Sequence, residues 1–343
     1  MATAMPMRPP LPPLSDRIRG GNRITIARRS TPDSFQLRRC KSREETRASF
    51  SRSPRLIAKA QKQEERRDDA EESPPPSYSV LAAMRSEHND IVVVDTPDSR
   101  VLLLDSTHNI HSMLNKEQKW TGSYWDEFAS LPAIIPKGPI AILGLGAGTA
   151  AHLLLDLWPS LHIEGWEIDE ILVDMSRDYF GLSALERCTE AGGSLSVHIG
   201  DALSPSVAVQ GGFAGIIVDL FSDGKVLPQL QEDAVWLEIE KKLMPHGRIM
   251  VNCGGAHAEM LASSDQMLNP HASLSGSWIQ NSTVRALCRV FPGKLTWKRM
   301  EEKDSDNYLA LTGPLPDLDA WSTALPSPLN SNVKHWRPCE LAS

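Results

Sequence analysis

Long apolar runs are missing from this chain of 343 residues. The longest apolar-looking window, around Ile140 to Trp158, is broken by small turn and polar residues and is too short to span a bilayer. A soluble protein is therefore expected. Cysteine is scarce as well: Cys40, Cys188, Cys253, Cys288 and Cys339 are odd in number and form no CxxC pair. That argues against a disulfide framework and a thiolate zinc site, and it fits a reducing compartment. The histidines and acids lack metal-ligand spacing, so no metal is expected. Acids are nearly absent from residues 1–60, four against 14 Lys and Arg, while the rest of the chain carries 39 against 22. So acidic a body argues against nucleic acid and an anionic membrane as partners and suits a cationic or neutral small substrate. Homo-oligomerisation is left open.

Residues 1–58 hold twelve arginines among serines and prolines and only Asp16, Asp33, Glu44 and Glu45 as acids. Without an apolar core they read as a disordered, transit-peptide-like leader rather than a secretory signal, directed to the chloroplast or, alternatively, the mitochondrion. Residues 59–79 are charged and then proline-rich, as in a linker. Over 80–132, Ile91-Val-Val-Val-Asp95 and Val101-Leu-Leu-Leu-Asp105 flank a Pro97-Asp98 turn and predict a hairpin. Residues 106–121 read as turn-like, and a short helix is expected from Tyr124 to Leu131, ending at Pro132. This piece is a small β-rich cap. From 133 to 313, strands alternate with helices, which implies a mostly parallel sheet. Strands are expected at Ile140–Leu143, His162–Glu167, Leu195–Ile199, Gly215–Asp219 and Arg248–Cys253, with two closing strands at Lys294–Lys298 and Asn307–Thr312. Helices are expected at Thr149–Leu157, Glu170–Tyr179, Gln231–Leu243 and Thr283–Val290. Residues 256–278 read as a polar insertion and 314–343 as a tail lying on the surface. The fold class is α/β, a seven-stranded class I methyltransferase-type (Rossmann-like) sheet with an N-terminal β-rich cap.

In an open α/β sheet the ligand sits beyond the carboxyl ends of the strands. The first such end is the turn Gly144-Leu-Gly146-Ala-Gly148-Thr149. The second is Glu167, 23 residues beyond Gly144, where a carboxylate can accept both ribose hydroxyls. The third is Gly200-Asp201-Ala202, where an acceptor suits the amine of an adenine, and the fourth is Asp219. A nicotinamide site would need a third glycine where Thr149 stands. The acids favour S-adenosylmethionine or a relative. Plainer readings stand beside these: Asp219 as a turn former, Tyr124 and Trp125 as core, His108 and His111 as surface histidines, Cys253 as a small buried residue.

Residues from about 91 to 312 resemble spermidine synthases, the aminopropyltransferases, and with the leader a plant plastid-type member. The resemblance rests on Leu104-Asp105, Ser123-Tyr-Trp-Asp-Glu-Phe128 before Leu131-Pro132, the glycine turn, Glu167-Ile-Asp169 with Tyr179-Phe180, Gly200-Asp-Ala202 and Ile216-Ile-Val-Asp219. It implies transfer of an aminopropyl group from decarboxylated S-adenosylmethionine to a polyamine amine. Tyr124 would close the pocket, Gly144, Gly146, Gly148, Glu167 and Asp201 would hold the donor, and Asp219 would deprotonate the attacking amine. His111, Asp126 and Asp223 would meet the substrate. Three positions depart from the family. Ala147 replaces the aspartate that binds the donor's terminal amine and repels the carboxylate of the intact cofactor. Ser222 precedes Asp223 where a paired aspartate is usual, and His111 replaces a glutamine. Ala147 favours a first alternative, a methyltransferase acting on a small molecule with intact S-adenosylmethionine; a second alternative is a non-catalytic ligand-binding relative.

Overall fold

The structure, a computed structural model, describes residues 78–107, 109–255, 278–300 and 307–339, all within the unit 72–343. The leader, nearly all of the linker, His108 and the insertion 256–277 lie outside the described residues.

The cap is a four-stranded antiparallel sheet in chain order: β1 (Ser79–Arg85), β2 (Asp90–Asp95), β3 (Ser99–Leu103) and β4 (Ser112–Asn115). The expected hairpin is β2–β3, with Val94 opposite Val101. Its turn is closed by the Thr96 hydroxyl, which donates to Ser99 O at 2.8 Å and accepts from Ser99 N at 3.0 Å. Ile91 and Val93 point inward by the period of two. The outer strands escaped the sequence reading for different reasons. β1 is an edge strand exposed at nearly every residue, so it carries no burial pattern. β4, inside the stretch read as turn-like, has only four residues.

Next come α1 (Tyr124–Phe128), three residues shorter than expected, and a 3₁₀ turn at Leu131–Ile134 that opens with Pro132 in its first positions. The main domain runs β5 (Ile140–Leu143), α2 (Thr149–Leu157), β6 (His162–Glu167), α3 (Glu170–Tyr179), α4 (Leu182–Leu185), β7 (Ser194–Ile199) and β8 (Phe213–Val218). A small hairpin, β9 (Phe221–Ser222) and β10 (Lys225–Val226), precedes α5 (Asp233–Glu240), β11 (Leu243–Gly255), α6 (Ser282–Val290), β12 (Leu295–Arg299) and β13 (Asn307–Thr312). The chain closes with α7 (Leu318–Thr323), α8 (Leu329–Asn332) and β14 (Arg337–Pro338).

The large sheet has the order β14-β12-β13-β11-β8-β5-β6-β7. Strands β7, β6, β5, β8 and β11 are parallel, and β13 inserts antiparallel between β11 and β12. The seven expected strands are joined by the two-residue β14 at the edge. The expected helix to Leu243 stops at Glu240, and β11 already starts at Leu243, five residues before the apolar run that marked it. β8 is buried along its whole length, as a central parallel strand must be. Ile217 joins the core on one face, with α2 and the C-terminal segment; Ile216 and Val218 join the core on the other, with α5 and α6.

Residues 314–339 do not form a surface wrap. Trp321, Leu325, Leu329, Val333 and Trp336 are all buried in the first of these cores. The high proline content disguised this, because the helices between the prolines are only one or two turns long.

The cap docks on the glycine turn through Thr149. Its hydroxyl accepts from Met113 N at 2.8 Å and donates to Met113 O at 3.0 Å, joining β4 to the start of α2. Thr149→Val keeps the shape and leaves two backbone groups of the half-buried Met113 without this partner. The expected loss is about 1–3 kcal/mol in urea unfolding; an unchanged midpoint would mean that the cap is held elsewhere.

Candidate active site

Strand order reverses between β5 and β8, which places a crevice at their carboxyl ends. The glycine turn leaves β5 and Asp219 leaves β8. They touch: a Cβ on Gly144 (φ +89°) would lie 2.2 Å from the Asp219 carbonyl oxygen. No other residue fits there, since neither the backbone contact nor the positive φ tolerates a side chain.

Every backbone N–H from Gly144 to Gly148 is already engaged. Gly144 and Leu145 donate to Trp166 O at 3.1 and 2.9 Å, and Gly148 donates to Leu145 O at 3.0 Å. Gly146 donates to Glu167 Oε2 at 2.9 Å, and Ala147 to Ser112 Oγ at 2.9 Å. A pyrophosphate cradle needs such groups aimed outward. This turn instead locks onto Glu167 and the cap, which weighs against a dinucleotide.

Glu167 is buried at the tip of β6. Its Oε1 accepts from Ile168 N at 2.9 Å and Asp169 N at 3.2 Å. Burial raises its pKa, opposed by the three backbone donors. Both acceptor positions of Oε1 are thus taken, and Oε2, engaged once by Gly146, keeps one for a sugar hydroxyl. Asp169 is not a ligand residue. It caps α3 at Leu172 N and accepts from Ser86 Oγ (2.5 Å) and Asn89 Nδ2 (2.7 Å) of the cap, holding the Glu167 loop in place.

Asp219 is the centre of the arrangement. Its Oδ2 accepts from the Tyr124 hydroxyl at 3.1 Å and its Oδ1 from Asn252 Nδ2 at 3.0 Å, and the Trp125 side chain is a further hydrogen-bond partner. Removal from water pushes its pKa up from 3.8 to about 6, although all three hydrogen bonds pull it down. A carboxyl poised there is charged at neutral pH and basic enough to accept a proton. Tyr124 and Trp125 are therefore both pocket and core: Tyr124 lies with its ring centroid 4.7 Å from that of Trp125 and edge-on to Phe128.

Asp201 is exposed. Leu203 N fixes its Oδ1 at 2.8 Å, and the residue lines a cavity of about 620 Å³ with Trp166, His198 and Glu164. The Trp166 and His198 rings stack at 4.7 Å, and His198 Nε2 lies 2.6 Å from Glu164 Oε2.

The three expected substrate contacts fare differently. Asp126 is buried, and Thr121 N, Thr121 Oγ1 and Gly122 N engage its oxygens at 2.8–2.9 Å. It shapes the loop before α1, and burial raises its pKa. Asp223 sits exposed at the β9–β10 turn with φ +50°, where it shapes the hairpin. That turn does approach the loop bearing His111, since a Cβ on Gly224 would meet Thr107 at 2.9 Å. His111 Nε2 lies 3.3 Å from Asp105 Oδ2; burial lowers its pKa despite the carboxylate, which favours the neutral ring.

Asn252 and Ser112 were missed. Asn252 is the one polar residue in Ile249-Met-Val-Asn-Cys253 and is buried, while its Oδ1 accepts from Gly254 N at 3.1 Å. A lone amide on an apolar strand beside the one ending in Asp219 was a usable signal. Ser112 carried none, being one serine among several. Cys253 is a small buried residue. Among the described residues no group of three or more His, Cys, Asp or Glu could hold a metal ion, and no helix is long and apolar enough to cross a membrane.

No family model matches the chain. It is similar to a probable polyamine aminopropyl transferase of Bifidobacterium longum (strain NCC 2705), with 25% identity over 215 residues, 61% of this chain and 46% of that protein. The chain thus spans less than half the length of that relative. Among solved structures, a probable spermidine synthase from Corynebacterium glutamicum ATCC 13032 superposes with a TM-score of 0.51 at 17% identity, covering 72% of this chain and 87% of the other. The spermidine synthase from Thermotoga maritima gives a TM-score of 0.49 at 15% identity over 68% and 72%. The chain shares its fold, an α/β sheet behind an N-terminal β cap, with a probable spermidine synthase, and over 215 residues it is similar in sequence to a probable polyamine aminopropyl transferase.

Proposed function

We propose that this protein is a transferase of spermidine-synthase type, moving an aminopropyl group from decarboxylated S-adenosylmethionine to an amine of a polyamine. The observation that carries this reading is Asp219, a carboxyl raised to about 6 at the switch point of the sheet and held by Tyr124, Trp125 and Asn252. The similarity to a polyamine aminopropyl transferase supplies the substrate class.

A protonated amine has no lone pair, so its proton must leave before the nitrogen attacks the carbon beside a sulfonium. Asp219 takes that proton. Tyr124 and Asn252 hold one carboxylate oxygen each and fix the direction from which the amine approaches. Glu167 holds the ribose and Asp201 the adenine amine, and the donor brings its own activated carbon. What remains is alignment, which can supply several kcal/mol of the barrier.

One observation favours a second reading, methyl transfer from intact S-adenosylmethionine. Ala147 is 1% exposed and belongs to the apolar cluster of Ile91, Val93, Leu102, Leu172, Met175 and Phe180. The turn therefore presents no acid to bind a donor ammonium or to repel a donor carboxylate. Incubation with putrescine and either donor distinguishes the two. Methylthioadenosine released from the decarboxylated donor is the expected product; S-adenosylhomocysteine from the intact one would establish methyl transfer, and neither product would leave a ligand-binding relative. The basic, acid-poor residues 1–58 support import into the chloroplast, which a fluorescent fusion of that segment tests.

A further inference from the structure

Helix α1 carries both aromatic residues that meet Asp219, yet it has only five residues and Ser123 gives its first turn no side-chain cap. So short a helix has no stability of its own in water. Its orientation must come from what its side chains and carbonyls grip.

On one side Tyr124 and Trp125 reach Asp219. On the other, Glu127, 0% exposed, receives Lys298 Nζ at 2.6 Å from β12, and Lys298 also donates to Asn332 O of α8 at 2.9 Å. Just beyond the helix, Trp321 Nε1 donates to Ser130 O at 3.0 Å and Trp158 Nε1 to Ala129 O at 2.8 Å. A buried ion pair is seldom retained for stability alone, because apolar residues of similar volume serve as well or better. What apolar residues lack is direction.

We propose that the buried Glu127–Lys298 pair is a positioning device, which sets the rotation of α1 so that Tyr124 and Trp125 meet the Asp219 carboxylate. The function rests on the reading of Asp219 as the base, but the coupling itself does not. Three groups face the Asp219 carboxylate: the Tyr124 phenol and Trp125 indole from α1, and the Asn252 amide from β11. The first two depend on the pair and the third does not. Losing hydrogen bonds that favour the charged form moves a carboxyl upward in pKa.

The test is a carboxyl ¹³C titration of aspartate-labelled protein, with the Asp219 signal assigned by its loss in Asp219→Asn. It needs no substrate, so it stands apart from any test of turnover. In Glu127→Gln/Lys298→Met, which keeps volume without charge, the Asp219 midpoint should rise by half a unit or more. Adding Tyr124→Phe should raise it no further, although Tyr124→Phe alone raises it in the otherwise native chain. The kcat should fall about tenfold with the donor KM within twofold. A native midpoint in the folded double variant, or a Tyr124→Phe shift of undiminished size, would overturn the proposal. If that variant does not fold, Lys298→Arg is read the same way: its broader head group should move the midpoint upward, and an unmoved midpoint is again fatal. Retention of turnover by Asp219→Asn would remove the base reading while leaving the coupling to be judged by the titration.

Discussion

Asp219→Asn is expected to lower turnover 10²- to 10⁴-fold, the usual contribution of a positioned general base. Donor affinity should stay within about threefold, because the proposed reading assigns the holding of the donor to Glu167 and Asp201. Isothermal titration and product release measured on the same preparation check both halves; unchanged turnover would refute the role. The pH profile is a second signature. With a pKa of about 6, the proposed transferase activity should fall roughly tenfold per unit below that point as the carboxyl protonates.

Stability should move in the opposite sense. The folded carboxyl titrates at about 6 against an ordinary 3.8, so the folded chain binds more protons than the unfolded one between those values. The favourable contribution is complete below 3.8 and is lost as pH rises through about 6. At neutral pH this leaves a penalty of up to roughly 3 kcal/mol, from 1.36 kcal/mol per unit. Asp219→Asn removes it, so the variant should be the more stable protein at pH 8, with the gap closing toward pH 4. Together the two outcomes place Asp219 among residues held for chemistry at the expense of stability.

Much of the site was legible because it sits where chain geometry forces it to sit. Glycine turns and strand-end acids are local in sequence, and the βαβ rule alone brings Gly144, Glu167 and Asp219 to one edge. The partners of those acids were not legible. Asn252 stands 33 residues from Asp219 and Tyr124 stands 95 away, and only the resemblance connected the latter. Asp126 misled because a buried acid holding its own loop has the same letter as an acid holding a substrate. Thr149 looked like a defect in a glycine fingerprint and is the bolt between cap and turn. Helix and strand ends erred where burial, rather than period, decides, as at the exposed β1.

Removing the chain after Gly313 is expected to prevent folding altogether. The segment looks dispensable by composition, yet Trp321, Leu325, Leu329, Val333 and Trp336 are each 6% exposed or less. At about 1.5–3 kcal/mol for each large buried side chain, their loss is on the order of 10 kcal/mol, comparable to the whole stability of a domain. The truncation also strips Asn332 O from Lys298 and Trp321 from Ser130 O, so the pair behind α1 loses its outer support. Edge strand β12 would be left without β14 and open to pairing with other chains. Soluble yield and thermal unfolding of the truncated chain provide the measurement. A milder probe is Trp321→Ala, for which a loss of about 3–5 kcal/mol is expected, against little change for the exposed Thr323 in the same helix. A truncated chain that melts within a few degrees of the full one would mean that these residues merely rest on the core. The energetics of five buried side chains and a buried lysine require instead that they complete it.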